Sequence, residues 1–214
     1  ILNISYQNKV LPISPSLDCL RSVKNRLKSL GINKFIIFHP AAQYQYKVYP
    51  KKLRNELFNL LNDLSVKIIV TGGNSTIDNK IKQSLPSIEN VYDFINKTTM
   101  EEYIALSSLS IGYLGMDTLN MHIAASQGKK VFAIFGPTNL KMWSPWSNIS
   151  MLCAREDNYI NEYDNITIFQ ADLPCVACGK AGCNDQHDES LCLDFIDPDF
   201  IYQKVQNFIN DQKI

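Results

Sequence analysis

Residues 109–138 read LSIGYLGMDTLNMHIAASQGKKVFAIFGPT, and the fold turns on how this run divides. Leu109–Tyr113 reads as a strand, a short glycine-bearing turn follows, a helix opens near Asp117, and the apolar run Val131–Phe135 makes a second strand ending in Gly136-Pro137-Thr138. That is a β-α-β unit. Asp117 suits the N-cap, Gly128 sits where a helix ends in a left-handed residue, and Lys129 and Lys130 lie at the negative end of the helix dipole. The first-turn amides of Thr118, Leu119 and Asn120 then point out of the sheet's carboxyl edge, where a phosphate is stabilised.

Working outward, the same alternation repeats. A helix is predicted over Ser16–Leu30, a strand over Lys34–Phe38, and a helix from Pro50 with Leu53, Leu57, Leu60, Leu61 and Leu64 on one stripe. A strand over Val66–Val70 closes in Thr71-Gly72-Gly73-Asn74, a helix runs from about Ile77 to Leu85, and a short strand spans Asn90–Phe94. Two overlapping capping boxes, Thr98 with Glu101 and Thr99 with Glu102, open the next helix, with Met100, Tyr103, Ile104 and Ser107 on one face. Strands that are apolar throughout, each followed by a helix, imply an α/β fold: a Rossmann-like parallel sheet with helices on both faces. Ligands of such sheets collect at the carboxyl ends of the strands, so the loops at 39–47, 71–76, 95–99, 114–118 and 136–142 are expected to converge. Beyond Thr138 the spacing predicts a strand near Ile149–Cys153, a polar tract to Asn165, a short strand over Ile166–Phe169 and a final amphipathic helix capped by Asp197-Pro198.

Composition narrows the function classes. Lys plus Arg and Asp plus Glu number 21 each, so no global field draws a nucleic acid or an anionic membrane. No apolar run approaches the roughly 18 residues that span a bilayer, and the opening residues do not resemble a signal peptide. A soluble, cytoplasmic protein is the expectation. The lead-in ILNISYQNKVLPISPSLD reads as the continuation of a longer chain. No Gly-x-Gly-x-x-Gly turn follows the first strand, which argues against a dehydrogenase.

Motifs in sequence carry a more specific resemblance. His39-Pro-Ala-Ala-x4-Lys47 followed by Pro50, then Thr71-Gly-Gly-Asn74, Lys97-Thr-Thr-Met100, and Asp117-Thr-Leu-Asn-Met-His122-Ile-Ala-Ala with Phe135-Gly-Pro-Thr138, together resemble the signatures of glycosyltransferase family 9, the heptosyltransferases of the lipopolysaccharide inner core. The resemblance covers roughly residues 34–209. It implies the carboxyl-terminal half of a GT-B glycosyltransferase. The expected segments are a lead-in and interdomain linker with helix (1–33), a nucleotide-sugar-binding domain (34–172), a cysteine-rich segment (173–196) and a C-terminal helix (197–214).

The same resemblance implies ADP-heptose as donor and a lipopolysaccharide core acceptor, which would bring the enzyme to the inner face of the inner membrane as a peripheral protein. Transfer would invert the anomeric centre, with the catalytic base in an upstream domain, no nucleic-acid partner and no cofactor required for catalysis. Lys47 and His122 are the expected stabilisers of charge on the departing diphosphate. The expected donor-binding set is Ala42, Gln43, Lys47, Asn74, Asp78, Thr99, Met100, Asp117, Thr118, Leu119, Asn120, His122 and Thr138. Within it, Asn74 or Asp78 would take the ribose hydroxyls and Met100 would wall the adenine, while His39 would support the strand-end turn. Leu119 stands where many members have Gly, and its Cβ would crowd the approach of backbone to the diphosphate. Asn96 likewise replaces a Gly, a change the left-handed region tolerates.

Cys175-x2-Cys178-x4-Cys183-x8-Cys192 has the spacing of a tetrahedral thiolate site, with zinc the first reading; the resemblance implies iron as the second, since a related branch carries an iron-bound cysteine finger, and reduced thiols or two disulfides are the other reading. Its role would be structural in either case. The alternative to an enzyme is a non-catalytic nucleotide-binding or metal-stapled interaction module of the same fold.

Overall fold

A computed structural model describes residues 11–157 and 160–212. The chain in order is α1 (Leu17–Ser29), β1 (Phe35–His39), α2 (Lys51–Leu61), β2 (Lys67–Gly72), α3 (Thr76–Gln83), β3 (Val91–Ile95), α4 (Met100–Leu109), β4 (Gly112–Met116), α5 (Leu119–Ser126), β5 (Lys130–Phe135), α6 (Leu140–Trp143), β6 (Ile160–Tyr163), β7 (Ile166–Gln170) and α7 (Pro198–Asp211). Residues 1–10 of the predicted lead-in, and Asn158 and Tyr159 of the polar tract, lie outside the described residues.

Alternate residues of each strand feed opposite faces, the period-two geometry that places a hydrophobic layer on both sides of a sheet. Ile36, Phe38, Ile68, Val70, Leu114, Phe132 and Ile134 join a core with α2 and α7, while Phe35, Ile37, Ile69, Tyr113, Val131 and Ala133 join another with α1, α4 and α5. The sheet has seven strands in the order β3-β2-β1-β4-β5-β7-β6. All neighbours pair parallel except β6 with β7. The Rossmann-like sheet with helices on both faces is therefore as expected from the sequence.

Local signals account for most element ends. Ser16 caps α1, Ser75 with Asp78 and Thr99 with Glu102 form capping boxes, and Asp197 caps α7. Asn96 takes φ +57° and Gly128 φ +68°, as anticipated. The predicted Thr98–Glu101 box fails for a tertiary reason: Glu101 accepts from the Ser16 amide at 3.2 Å and so ties α4 to the start of α1.

Three expectations are corrected. The strand expected over Leu109–Tyr113 begins only at Gly112, because Leu109 closes α4 and packs with the helical core. The strand near Ile149–Cys153 is a single bridge, Ser147 with Leu152; the Asp164 carboxylate accepts from Ser147 Oγ at 2.6 Å and from the Ser150 amide at 3.1 Å, holding a turn instead. The polar tract before Asn165 contains the edge strand β6, which is only partly buried and so lacks an apolar signature.

The winding reverses between β1 and β4: β1 leads toward β2 on one side, and β4 toward β5 on the other. Gly115 pairs with His39 there, and a Cβ on Gly115 would stand 2.4 Å from the His39 carbonyl oxygen and 2.7 Å from the Tyr113 hydroxyl. Backbone on one side and a buried ring on the other leave no relaxation. Gly115→Ala is expected to lower unfolding stability by about 3 kcal/mol, read as a fall in the urea midpoint at unchanged slope.

Candidate functional site

The reversal opens a cleft of about 470 Å³ at the carboxyl ends of the strands, lined by the loops after β1, β2, β3 and β4. Lys47, from the loop after β1, donates from Nζ to Asp117 Oδ2 at 2.7 Å and so bridges to the end of β4. The lysine side chain is 21% exposed and the aspartate 6%. Nζ also lies 5.9 Å from the centre of the Trp143 ring.

Asp117 is not the helix cap predicted for it. Thr118 occupies that place, its side chain makes no capping bond, and α5 starts at Leu119. Because β4 ends three residues later than expected, Asp117 emerges directly at the strand end, within reach of Lys47. The leading amides of α5 have no side-chain cap, which keeps them available to an anion. Leu119 is 58% exposed and forms part of the cleft wall, so its side chain does not seal the turn.

The cleft gathers Ala42, Gln43, Lys47, Asp78, Thr99, Met100, Asp117, Thr118, Leu119 and Asn120 of the expected set. Met100 is exposed at the cleft wall. Asp78 lines the cleft, but its carboxylate accepts from the Gly73 amide at 2.9 Å and from the Ser75 amide at 3.0 Å. It therefore holds the glycine turn after β2. Asn74, His122 and Thr138 are not on the cleft wall. Asn74 is exposed beside the turn; Thr138 is buried at the β5 and β7 ends, where its carbonyl accepts from the Gln170 amide at 2.9 Å. His122 is partly buried in α5, and desolvation lowers its pKa against the opposing pull of Asp117.

His39 supports the strand ends, the part expected of it. Its ring is buried, with Nδ1 2.9 Å from Thr71 Oγ1 and 3.2 Å from the Asn120 side-chain nitrogen. It thus ties β1, β2 and the start of α5 together. Tyr103, placed by the sequence on one helix face with Met100, Ile104 and Ser107, reaches the cleft floor and donates to the Asn120 carbonyl at 3.4 Å. Only the position of His39 at a strand end signalled either role.

A family model described as glycosyltransferase family 9 (heptosyltransferase) matches residues 9–170. The chain belongs to glycosyltransferase family 9. Lipooligosaccharide heptosyltransferase 2 of Campylobacter jejuni is 24% identical over 212 residues, covering 98% of this chain and 60% of that one. The family 9 fold recurs in E. coli ADP-heptose lps heptosyltransferase II, with TM-score 0.67, 15% identity, and coverage of 95% of this chain and 54% of that chain. It recurs in E. coli heptosyltransferase WaaC with ADP, with TM-score 0.60, 15% identity, and coverage of 88% and 48%. The chain thus spans 60% of the Campylobacter enzyme and about half of each solved chain.

The geometry lends the metal expectation no support. Among the described residues no group of three or more His, Cys, Asp or Glu side chains is arranged to hold a metal ion. Cys175, Cys178 and Cys183 are exposed free thiols and Cys192 is a buried one, so the disulfide reading is not seen either. Burial, with Cys183, Cys178 and Cys175 as neighbours, pushes the Cys192 thiol up to about 12, and it stays protonated. The segment is instead anchored by packing, with Cys192, Leu193 and Ile196 in the core.

Burial holds the His39 imidazole down at about 4, with Asp78 opposing. In the unfolded chain the ring titrates near 6.5, so between about pH 6.5 and 4 only the unfolded chain takes the proton. The stability His39 contributes is complete above 6.5 and is lost as pH falls through that window. Urea unfolding at pH 7 and pH 4.5 should differ by about 2–3 kcal/mol more in the unaltered protein than in His39→Gln.

Proposed function

We propose that this chain is the donor-binding half of a heptosyltransferase, with residues 34–172 holding the nucleotide sugar and ADP-heptose as the donor. The observation that carries the reading is Lys47 standing beside the uncapped start of α5 in a cleft at the switch point. The family match supports it, and so does the ADP held by one relative of the same fold. The acceptor is a lipopolysaccharide core sugar. Work on such an acceptor calls for a cytoplasmic enzyme, peripheral to the inner face of the inner membrane.

In this reading the diphosphate lies across the Lys47 ammonium and the leading amides of α5, and the adenosine extends toward Thr99 and Met100. An acceptor hydroxyl, deprotonated by a carboxylate of an upstream domain, attacks the anomeric carbon from the face opposite the leaving diphosphate, and the centre inverts. The bond to the diphosphate oxygen breaks as the new glycosidic bond forms. Charge grows on the departing oxygens, and a fixed cation with aligned amides stabilises that charge more in the transition state than in the ground state. The step needs no cofactor from this half of the enzyme.

Asp117 has two parts in this scheme. It holds Lys47 in position before the donor arrives, and it then shares the ammonium with a phosphate oxygen. Burial lowers the pKa of His122 and so favours its neutral ring, which contributes a dipole behind the helix start. Calorimetry on this chain should show binding of ADP and ADP-sugars but not of UDP-sugars, and Lys47→Met should weaken ADP binding about 10- to 100-fold, the loss of one charge-assisted contact. Selective binding of UDP-sugars would overturn the donor assignment.

A further inference from the structure

Arg54 lies in the first turn of α2 and is only 4% exposed. Its Nη1 donates to the Tyr49 carbonyl at 3.0 Å and its Nη2 makes a long contact of 3.3 Å to Ser84 Oγ, while Nε has no partner. Among the described residues it makes no ion pair. Desolvation draws its pKa down to about 10, with no carboxylate acting against that, yet the group remains charged at neutral pH. A buried cation without a counterion is costly, and the C-terminal end of α3 at Ser84 offsets only part of that cost.

This guanidinium forms part of the wall of a second cavity, of about 480 Å³, between α2, α3 and residues 189–194. Ser190 lines the same cavity; it is 4% exposed, and its hydroxyl has no partner. The first turn of α2 also opens there, behind a Pro50 cap that offers no side-chain bond. Two lysines, Lys51 and Lys80, and two carboxylates, Glu189 and Asp194, line it as well and balance, so the net charge of the wall is that of Arg54. No residue lining this cavity lines the donor cleft.

We infer that this cavity is an oxyanion site, and that it takes the phosphoryl group of a small phosphate monoester. Nε of Arg54 is buried and has no partner, Nη2 is held only by a long contact, and the two share the guanidinium edge that pairs with adjacent phosphate oxygens. The Ser190 hydroxyl supplies a further donor, and the anion gives the buried charge its missing partner. A phosphate monoester, with up to two negative charges and three free oxygens, brings a buried cation and a hydroxyl more charge and more acceptors than a carboxylate does. The remaining volume, lined by two lysines and two carboxylates, suits a polar body attached to the phosphate.

Thermal unfolding of the chain with inorganic phosphate and, in parallel, acetate tests the assignment. Phosphate at saturation should raise the midpoint by about 5 °C. The same rise is expected in Lys47→Met, which removes the cation of the donor cleft, and no rise in Arg54→Met, which replaces the buried charge with an apolar side chain of similar length. Ser190→Ala, which keeps the arginine, should weaken the phosphate response several-fold and stands in if Arg54→Met does not fold. A full response in Arg54→Met, a response in Lys47→Met that disappears, or no response in the unaltered chain would overturn the site. Acetate acting as strongly as phosphate would overturn the phosphoryl assignment.

Discussion

Two strands that wind away from one another lie edge to edge only because residue 115 has no side chain. With its Cα against the His39 carbonyl, Gly115 lets β1 and β4 meet at their carboxyl ends, and the loops that follow must then part. The crevice left between them is the space that Lys47 and Asp117 span. A larger residue at 115 would push apart the strands on which both loops depend. The cleft is therefore a consequence of winding order and one close backbone approach, and the charged pair sits where those constraints place it.

Around that gap the polar groups are buried but partnered, which is the condition for a rigid site. His39 contacts Thr71 and Asn120, so three elements share one neutral imidazole. Asp78 closes the turn at Gly72 and Gly73, where a Cβ on Gly72 would come within 2.7 Å of its carboxylate. The glycine pair and the aspartate thus form one unit. The Lys47–Asp117 pair differs in being only partly desolvated, so the ammonium keeps a face toward the cleft.

The segment carrying four of the cysteines has a role in packing. Leu193 fills the space beside Gly136, the Tyr49 hydroxyl donates to the Ile196 carbonyl, and Ser190 faces the cavity that holds Arg54. It thereby joins the ends of β5 and α2 from outside the sheet. Its spacing resembles a metal motif, but among the described residues no three ligands are arranged to hold an ion, and Cys175, Cys178 and Cys183 are exposed while Cys192 is buried.

Periodicity by itself determined the α/β alternation, the inward faces and most of the caps, because apolar period and capping chemistry are local properties of neighbouring residues. Motif order by itself pointed to the family and to Lys47, Asp117 and the start of α5. Only the tertiary structure decided that Asp117 serves a lysine seventy residues away and leaves the cap to Thr118, since the pair exists only once β1 and β4 are adjacent. The same holds for Arg54, an unremarked polar residue in an amphipathic stretch. Its burial without a counterion depends on where α3 and residues 189–194 close over it, and local sequence carries no trace of that closure.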